Sequence, residues 1–408
     1  MFRIPALATA GTALIVVAAL GGSSSAGFVL AAEPTTPNVL VTSAPGELVL
    51  EESGTVTVQV TGDAHPGDRI ILNTAGSYNT GFVRVSETVL DDHLMATLKV
   101  PGREYLGSYD YWASTPATSV NPERSSERFT IDIVSPPPPV NPNCGSGAPR
   151  KADGSPWVCT FADDFEGKAL DRRYWVAQRT ENSGFTTGNK IKYACAFDSP
   201  ETIGVRGGNL ELSLVERTES RDCGKDKSSK YAYGQVMHHQ TFAQTYGRYE
   251  VRAKIPDLRV PGSQQSFWLW PEKDTYGPWP LSGEIDFAEM YSNDPGIVKP
   301  FIHYTPGEST DGTNKNVTHT RCPIKVGQFN TYGLVWEPGK LTILLNGKVC
   351  MINEYSSALA GFYGETSPFD HPFYLALNQA MGAIGNEYVD DQVPDRLTTQ
   401  IDYVRIWK

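Results

Sequence analysis

The first 143 residues of this 408-residue chain contain no cysteine, so any domain there must hold its core without a disulfide. No Cys-x-x-Cys pair occurs later either, which argues against a zinc ribbon or a dithiol redox motif. Cations are in the minority. Lys and Arg number 35 against 46 Asp and Glu, a formal balance of −11, and they form no cluster. A phosphate backbone is bound by clustered cations, so nucleic acid is excluded as a partner. Charged residues reach only 20% while hydrophobic residues reach 40%, too apolar a mixture for a disordered chain. There is no internal repeat, no helix-period stretch beyond a few turns and no Gly-x-Ser-x-Gly elbow. The nearest approach to a P-loop, at residues 333–341, has the wrong spacing. Gly (38), Pro (29) and aromatics (8 Trp, 19 Tyr, 16 Phe) are plentiful, which favours an all-β protein with many turns. Neutral polysaccharide is a natural partner for an acidic, aromatic-rich chain of that kind.

The pattern divides the chain into four stretches. Residues 1–32 carry Arg3, an apolar run at 12–20 and small residues, with Ser24-Ser25-Ala26 or Leu30-Ala31-Ala32 as the cleavage site. The run is too short to span a ~30 Å hydrocarbon core, so it reads as a cleaved signal peptide. A secreted product, extracellular or associated with a cell wall, monomeric and free of the membrane, is expected. Residues 38–135 alternate in short β-like runs, as in the strict period two of residues 55–60, and suit an immunoglobulin-like β-sandwich module. Its Tyr109, Tyr111 and Trp112 either form a sugar-stacking platform or fill the core. Residues 136–143 include a tetraproline and read as a stiff linker.

Residues 144–408 hold many antiparallel strand signals, including a tight hairpin at Asn346-Gly347, and read as a large two-sheet sandwich. Six cysteines lie here, an even number in an exported chain. The expected pairing is sequential, Cys144–Cys159, Cys195–Cys223 and Cys322–Cys350, because each loop is short and turn-rich. His238-His239 could suggest a metal, but neighbours on a strand point to opposite faces, so a surface position is expected.

The sharpest feature is Glu284-Ile285-Asp286-Phe287-Ala288-Glu289. Alternation puts Glu284 and Asp286 on one strand face and Ile285 and Phe287 on the other. Glu289 would then point into the core, where an unpaired carboxylate is costly. A β-bulge between Asp286 and Glu289 returns it to the acidic face, so that all three acids line one cleft. Two carboxyl groups brought to ~5–5.5 Å suit a retaining glycosidase. Crowded carboxylates cannot all ionise, so one pKa should rise, as a general acid requires.

At this motif the sequence resembles glycoside hydrolase family 16, the family of laminarinases, lichenases, agarases and carrageenases. The resemblance extends over most of residues 157–408. It includes Phe161-Ala162-Asp163-Asp164-Phe165, residues 246–256, Trp279-Pro280-Leu281-Ser282-Gly283-Glu284 and Ile401-Asp402-Tyr403-Val404-Arg405-Ile406-Trp407. It implies a β-jelly-roll with a cleft across one sheet and hydrolysis with retention. Glu284 would be the nucleophile, Asp286 its helper and Glu289 the acid/base. Trp268 matches a cleft tryptophan, and alternation puts Trp270 on the same face; Trp279 flanks the acids. His303 resembles a cleft histidine near the acid/base. Asn189, Trp175 and Asn378 match sugar-site positions. No cofactor is implied for catalysis. A structural calcium is implied at Asp402, with Asp164 and Gly208 near the other liganding positions. Where laminarinase-like members carry Trp-Pro-Ala, this chain has Gln264-Gln265-Ser266. A secreted endo-β-glucanase cutting β-1,3, or mixed β-1,3-1,4, linkages is the expected function. A glucan transglycosylase on the same residues and a non-catalytic polysaccharide-binding protein are the competing readings.

Overall fold

The computed structural model describes residues 38–408 except 51, 76–81, 104–105, 119–121, 138–141, 147–148, 305–320, 356–359 and 384. The expected leader and the middle of the proline-rich stretch lie outside the described residues.

The chain is all-β in its sheets. In the N-terminal module, Asn38–Ser43, Gly54–Thr61 and Met95–Val100 form one antiparallel sheet. The other runs Glu47–Val49, Phe129–Val134, Gly107–Thr115, Arg69–Ala75, Phe82–Val89. Period two decides what faces inward: Val56, Val58 and Val60 are buried and meet Ile70, Leu72 and Ile131. Tyr111 joins that core, while Arg103 lies 4.6 Å over the Tyr109 ring and Arg128 4.6 Å over Trp112. These three aromatics therefore do not form an open stacking platform. The module touches the rest of the chain at Gln240, whose side-chain oxygen accepts the Leu106 N–H at 2.9 Å and whose carbonyl accepts the Ser135 hydroxyl at 2.7 Å.

The larger unit packs two sheets around one core. The back sheet is ordered Ile203–Arg206, Asn209–Asp222, Arg396–Trp407, Gly247–Lys254, Phe329–Glu337, Lys340–Leu345, Lys348–Asn353. The cleft sheet is ordered Ser228–Met237, Phe373–Met381, Ser263–Pro271, Glu284–Tyr291, Ile297–His303, Cys322–Pro323. Ser228–Met237 serves both, pairing with Asn209–Asp222 through Tyr231–Tyr233 and with Phe373–Met381 beyond Gly234. Phe267, Leu269, Ile285, Phe287, Leu375 and Leu377 of the cleft sheet bury against Tyr249, Val251, Leu334, Trp336, Val404 and Ile406 of the back sheet. Each Å² of apolar area buried there contributes ~25 cal/mol to folding.

The Lys340–Leu345 and Lys348–Asn353 strands are joined by the expected hairpin, with Asn346 and Gly347 both at positive φ (49° and 75°), as a two-residue turn demands. The disulfides pair sequentially, with Cα–Cα distances of 5.8, 6.4 and 5.9 Å that suit the bond. Cys322–Cys350 ties the edge of the cleft sheet to the back sheet. His238 departs from expectation. It follows the strand rather than lying on it, and it is fully buried, with Trp175 4.0 Å and Phe161 4.5 Å from its ring. Burial holds it neutral, its pKa pushed down to about 3.

Candidate active site

The acid strand, Glu284–Tyr291, opposes Glu284 to His303 and Asp286 to Phe301, then Glu289 to Lys299. Three steps on the acid strand thus match two on its neighbour. On the other side Trp268 faces Asp286 and Phe267 faces Ala288, leaving Phe287 as the inserted residue. The cause is packing. Ile285, Phe287 and Ala288 are all drawn into the core, and the extra residue turns Glu289 back to the cleft. Gly283 sets the entry to this strand. It holds φ at +85°, and a Cβ there would stand 2.6 Å from the buried Phe369 ring.

Glu284, Asp286 and Glu289 line one cleft of about 240 Å³ with Gln264, Ser266, Trp268 and Asn378. Each carboxylate has its own surroundings. Glu284 accepts the Trp279 indole N–H at 2.6 Å. Asp286, only 4% exposed, has an oxygen 3.2 Å from His303 Nε2. Glu289 accepts from Gln264 at 2.8 Å and Ser266 at 3.0 Å, both on Oε1, and from the Tyr291 hydroxyl on Oε2. Burial, then the charge of Asp286, pushes Glu284 well above the usual carboxylate range, while His303 and the Trp279 N–H pull it back. Burial and Asp286 likewise raise Glu289, to about 7, against its three donors. Carboxylates this crowded retain a proton at neutral pH. The indole N–H and His303 offset only part of the rise at Glu284, and Glu289 sits where a general acid works best.

A family profile, Glycosyl hydrolases family 16, matches residues 189–387. A glucan endo-1,3-β-glucosidase of Cryptopygus antarcticus is 32% identical over 260 residues, which are 62% of this chain and 92% of that protein. The chain belongs to glycosyl hydrolases family 16. A keratan-sulfate endo-1,4-β-galactosidase of Sphingobacterium multivorum is 34% identical over 205 residues, 50% of this chain. Glucan endo-1,3-β-glucosidase A1 of Niallia circulans is 26% identical over 261 residues, 61% of this chain. The chain spans only 45% and 37% of those two proteins. A solved non-specific endo-β-1,3(4)-glucanase of family 16 matches with a TM-score of 0.52 at 26% identity, over 66% of this chain and 95% of that one.

The other expected site residues of this family 16 chain divide. Trp268 and Trp270 are half-buried on the cleft side of their strand, rings 5.7 Å apart and nearly perpendicular; Trp268 lines the cleft with the acids. Trp279 is 47% exposed and reaches Glu284. His303 sits opposite Glu284 and against Asp286, at the Glu284 end of the cleft rather than beside Glu289. Asn378 lines the cleft, but its Oδ1 is engaged by the Ser266 N–H at 2.9 Å. Asn189 lines an adjoining groove, where its side chain closes a turn by accepting from Ile191 and Lys192. Trp175 is corrected: it is fully buried, and its indole N–H donates to Asp163 at 2.9 Å, so it packs the core instead of meeting sugar.

Three functional contacts escaped the sequence: Gln264, Ser266 and Tyr291 converge on Glu289. Strand alternation from Trp268 back through Ser266 to Gln264 was the available signal. Phe185 and the Thr186–Gly188 strand, which also line the cleft, had none.

The expected calcium set does not fit as arranged. Asp402 is ion-paired with Arg252, and Asp164 accepts from Arg405 at 3.1 Å. A divalent ion would have to displace both guanidiniums.

Proposed function

We propose that the chain is a secreted, retaining endo-β-glucanase acting on β-1,3 or mixed β-1,3-1,4 glucans by double displacement. The observation that carries this reading is the bulged strand that gathers three acids in one cleft, with Glu289 raised to about 7 beside a crowded Glu284. In the first step a Glu284 oxygen attacks the anomeric carbon while Glu289 gives its proton to the departing glycosidic oxygen. In the second, Glu289 takes a proton from water, the water oxygen attacks the same carbon, and the Glu284 ester bond breaks. Two inversions leave the configuration retained. Asp286 raises the proton affinity of both neighbours and is held by His303. Trp268 and Trp279 offer apolar faces for sugar rings. The glucan preference is supported by relatives named as endo-1,3-β-glucosidases, although a β-galactosidase is as similar.

Three disulfides suit an oxidising compartment and support secretion. Among the described residues no helix is long and apolar enough to cross a membrane. The test is activity of Glu284→Gln on laminarin within a panel of β-glucans and β-galactans. The expected result is release of reducing sugar from β-1,3-glucan by the wild type and its loss in the variant. Wild-type activity in Glu284→Gln would overturn the mechanism.

A further inference from the structure

Both oxygens of Glu289 are held by neutral donors, and the donors come from two strands. Gln264 and Ser266 stand two apart on Ser263–Pro271, so alternation sends both side chains into the cleft. The register puts Ser266 opposite Glu289 and Gln264 opposite Tyr291. Tyr291 lies two residues beyond Glu289 and returns to the same face after the bulge. From the geometry we infer that Gln264, Ser266 and Tyr291 are positioning residues that fix which oxygen of Glu289 carries the transferable proton and set the pH above which the enzyme loses it. The inference rests on the reading of Glu289 as the acid/base.

The chemistry follows from lone pairs. A carboxylate oxygen accepts two hydrogen bonds in its plane. Oε1 receives two, from the Gln264 amide at 2.8 Å and the Ser266 hydroxyl at 3.0 Å. The Ser266 hydroxyl can also accept from the same Gln264 amide at 3.4 Å, which aims its own proton at Glu289. With Oε1 filled, the proton belongs on Oε2, whose other partner is the Tyr291 hydroxyl. A hydroxyl can donate to the carboxylate and accept from the acid, so Tyr291 can follow both protonation states as Glu289 alternates between acid and base. Ser266 is tied in place: its N–H donates to Asn378, one strand further on.

The other charged groups around Glu289 do not supply this effect. Asp286 and Glu284, on the same strand, push its proton affinity up. Lys299, its register partner, pairs with Asp294 at 2.9 Å and lies 5.3 Å from the centre of the Tyr291 ring. His303 is against Asp286. Phe373–Met381 brings Asn378, which does not titrate. The three donors are thus the contacts that favour the carboxylate, and removing any of them should let Glu289 keep its proton to higher pH.

The experiment is the pH profile of kcat/KM on laminarin for wild type, Gln264→Met, Ser266→Ala and Tyr291→Phe, with Glu289→Ala as reference. The expected result is a basic limb moved up by about one pH unit in each single variant, the size of one hydrogen bond to a charged group. Ser266→Thr, which restores the hydroxyl, should return the limb toward wild type. A merely structural role would lower the profile without moving the limb. Should a variant at the Ser263–Pro271 strand fail to fold, Tyr291→Phe, which deletes one oxygen, carries the test. If Glu289→Ala is inactive but all limbs overlay the wild type, the inference is overturned while the acid/base reading stands. If Glu289→Ala is fully active, both fall.

Discussion

Glu289→Gln should make the protein more stable at neutral pH and not at acid pH. Glu289 is raised from an ordinary 4.5 to about 7 by burial and by Asp286. A carboxyl raised on folding holds its proton more tightly in the native state. Below pH 4.5 both states are protonated and the group is neutral in effect. As pH rises from 4.5 towards 7 the unfolded chain releases its proton first, so stability falls through that window and levels off above it. The gap corresponds to about 3 kcal/mol at pH 7, an upper figure because the three carboxylates titrate together. Glutamine carries no charge, keeps an acceptor for Gln264 and Ser266, and can donate to the Tyr291 oxygen. The variant should therefore gain about 2–3 kcal/mol at pH 7, roughly 5–10 °C in Tm, and nothing at pH 4. Thermal unfolding of both proteins at pH 4, 5.5 and 7 measures this. A variant no more stable than wild type at pH 7, or equally favoured at pH 4, would refute the claim that burial of this charge is held against folding for the sake of the chemistry.

Other consequences are more local. Trp279→Phe removes the N–H that Glu284 accepts at 2.6 Å and should lower kcat at least ten-fold with a smaller change in KM, since a charge-assisted hydrogen bond contributes about 1.5–3 kcal/mol; steady-state kinetics on laminarin decides. Gly283→Ala must carry a side chain at φ +85° and displace the buried Phe369 ring, which should cost about 2–4 kcal/mol in denaturant unfolding. Because Asp402 and Asp164 already face Arg252 and Arg405, EDTA should leave Tm unchanged; a fall of several degrees reversed by calcium would show that the arginines give way to an ion.

The acid strand was legible because its spacing broke a rule. Three acids on a two-residue period cannot share a face unless one residue is inserted, and the register shows Phe287 inserted. The Asn346-Gly347 hairpin and the three disulfides were legible because both are set by short stretches of chain. What brings Gln264, Ser266 and Tyr291 onto Glu289 is the pairing of two strands, which no local pattern specifies. As a departure from the laminarinase-like pattern, Gln264-Gln265-Ser266 gives no hint that two of its side chains bond Glu289. Trp175 and His238 were misread for a related reason. An aromatic and a histidine suit a sugar site or a surface equally well, and only the packing of Phe161, Trp175 and His238 against one another puts both in the core.

The most direct measurement of the central claim is mass-spectrometric mapping of the enzyme after reaction with an activated 2-deoxy-2-fluoro laminaribioside, which slows breakdown of a glycosyl–enzyme. The account predicts a single disaccharide adduct on the peptide containing Glu284, absent from Glu284→Gln, and products that first appear as the β-anomer by NMR. An adduct on another residue, or products that first appear as the α-anomer, would contradict it.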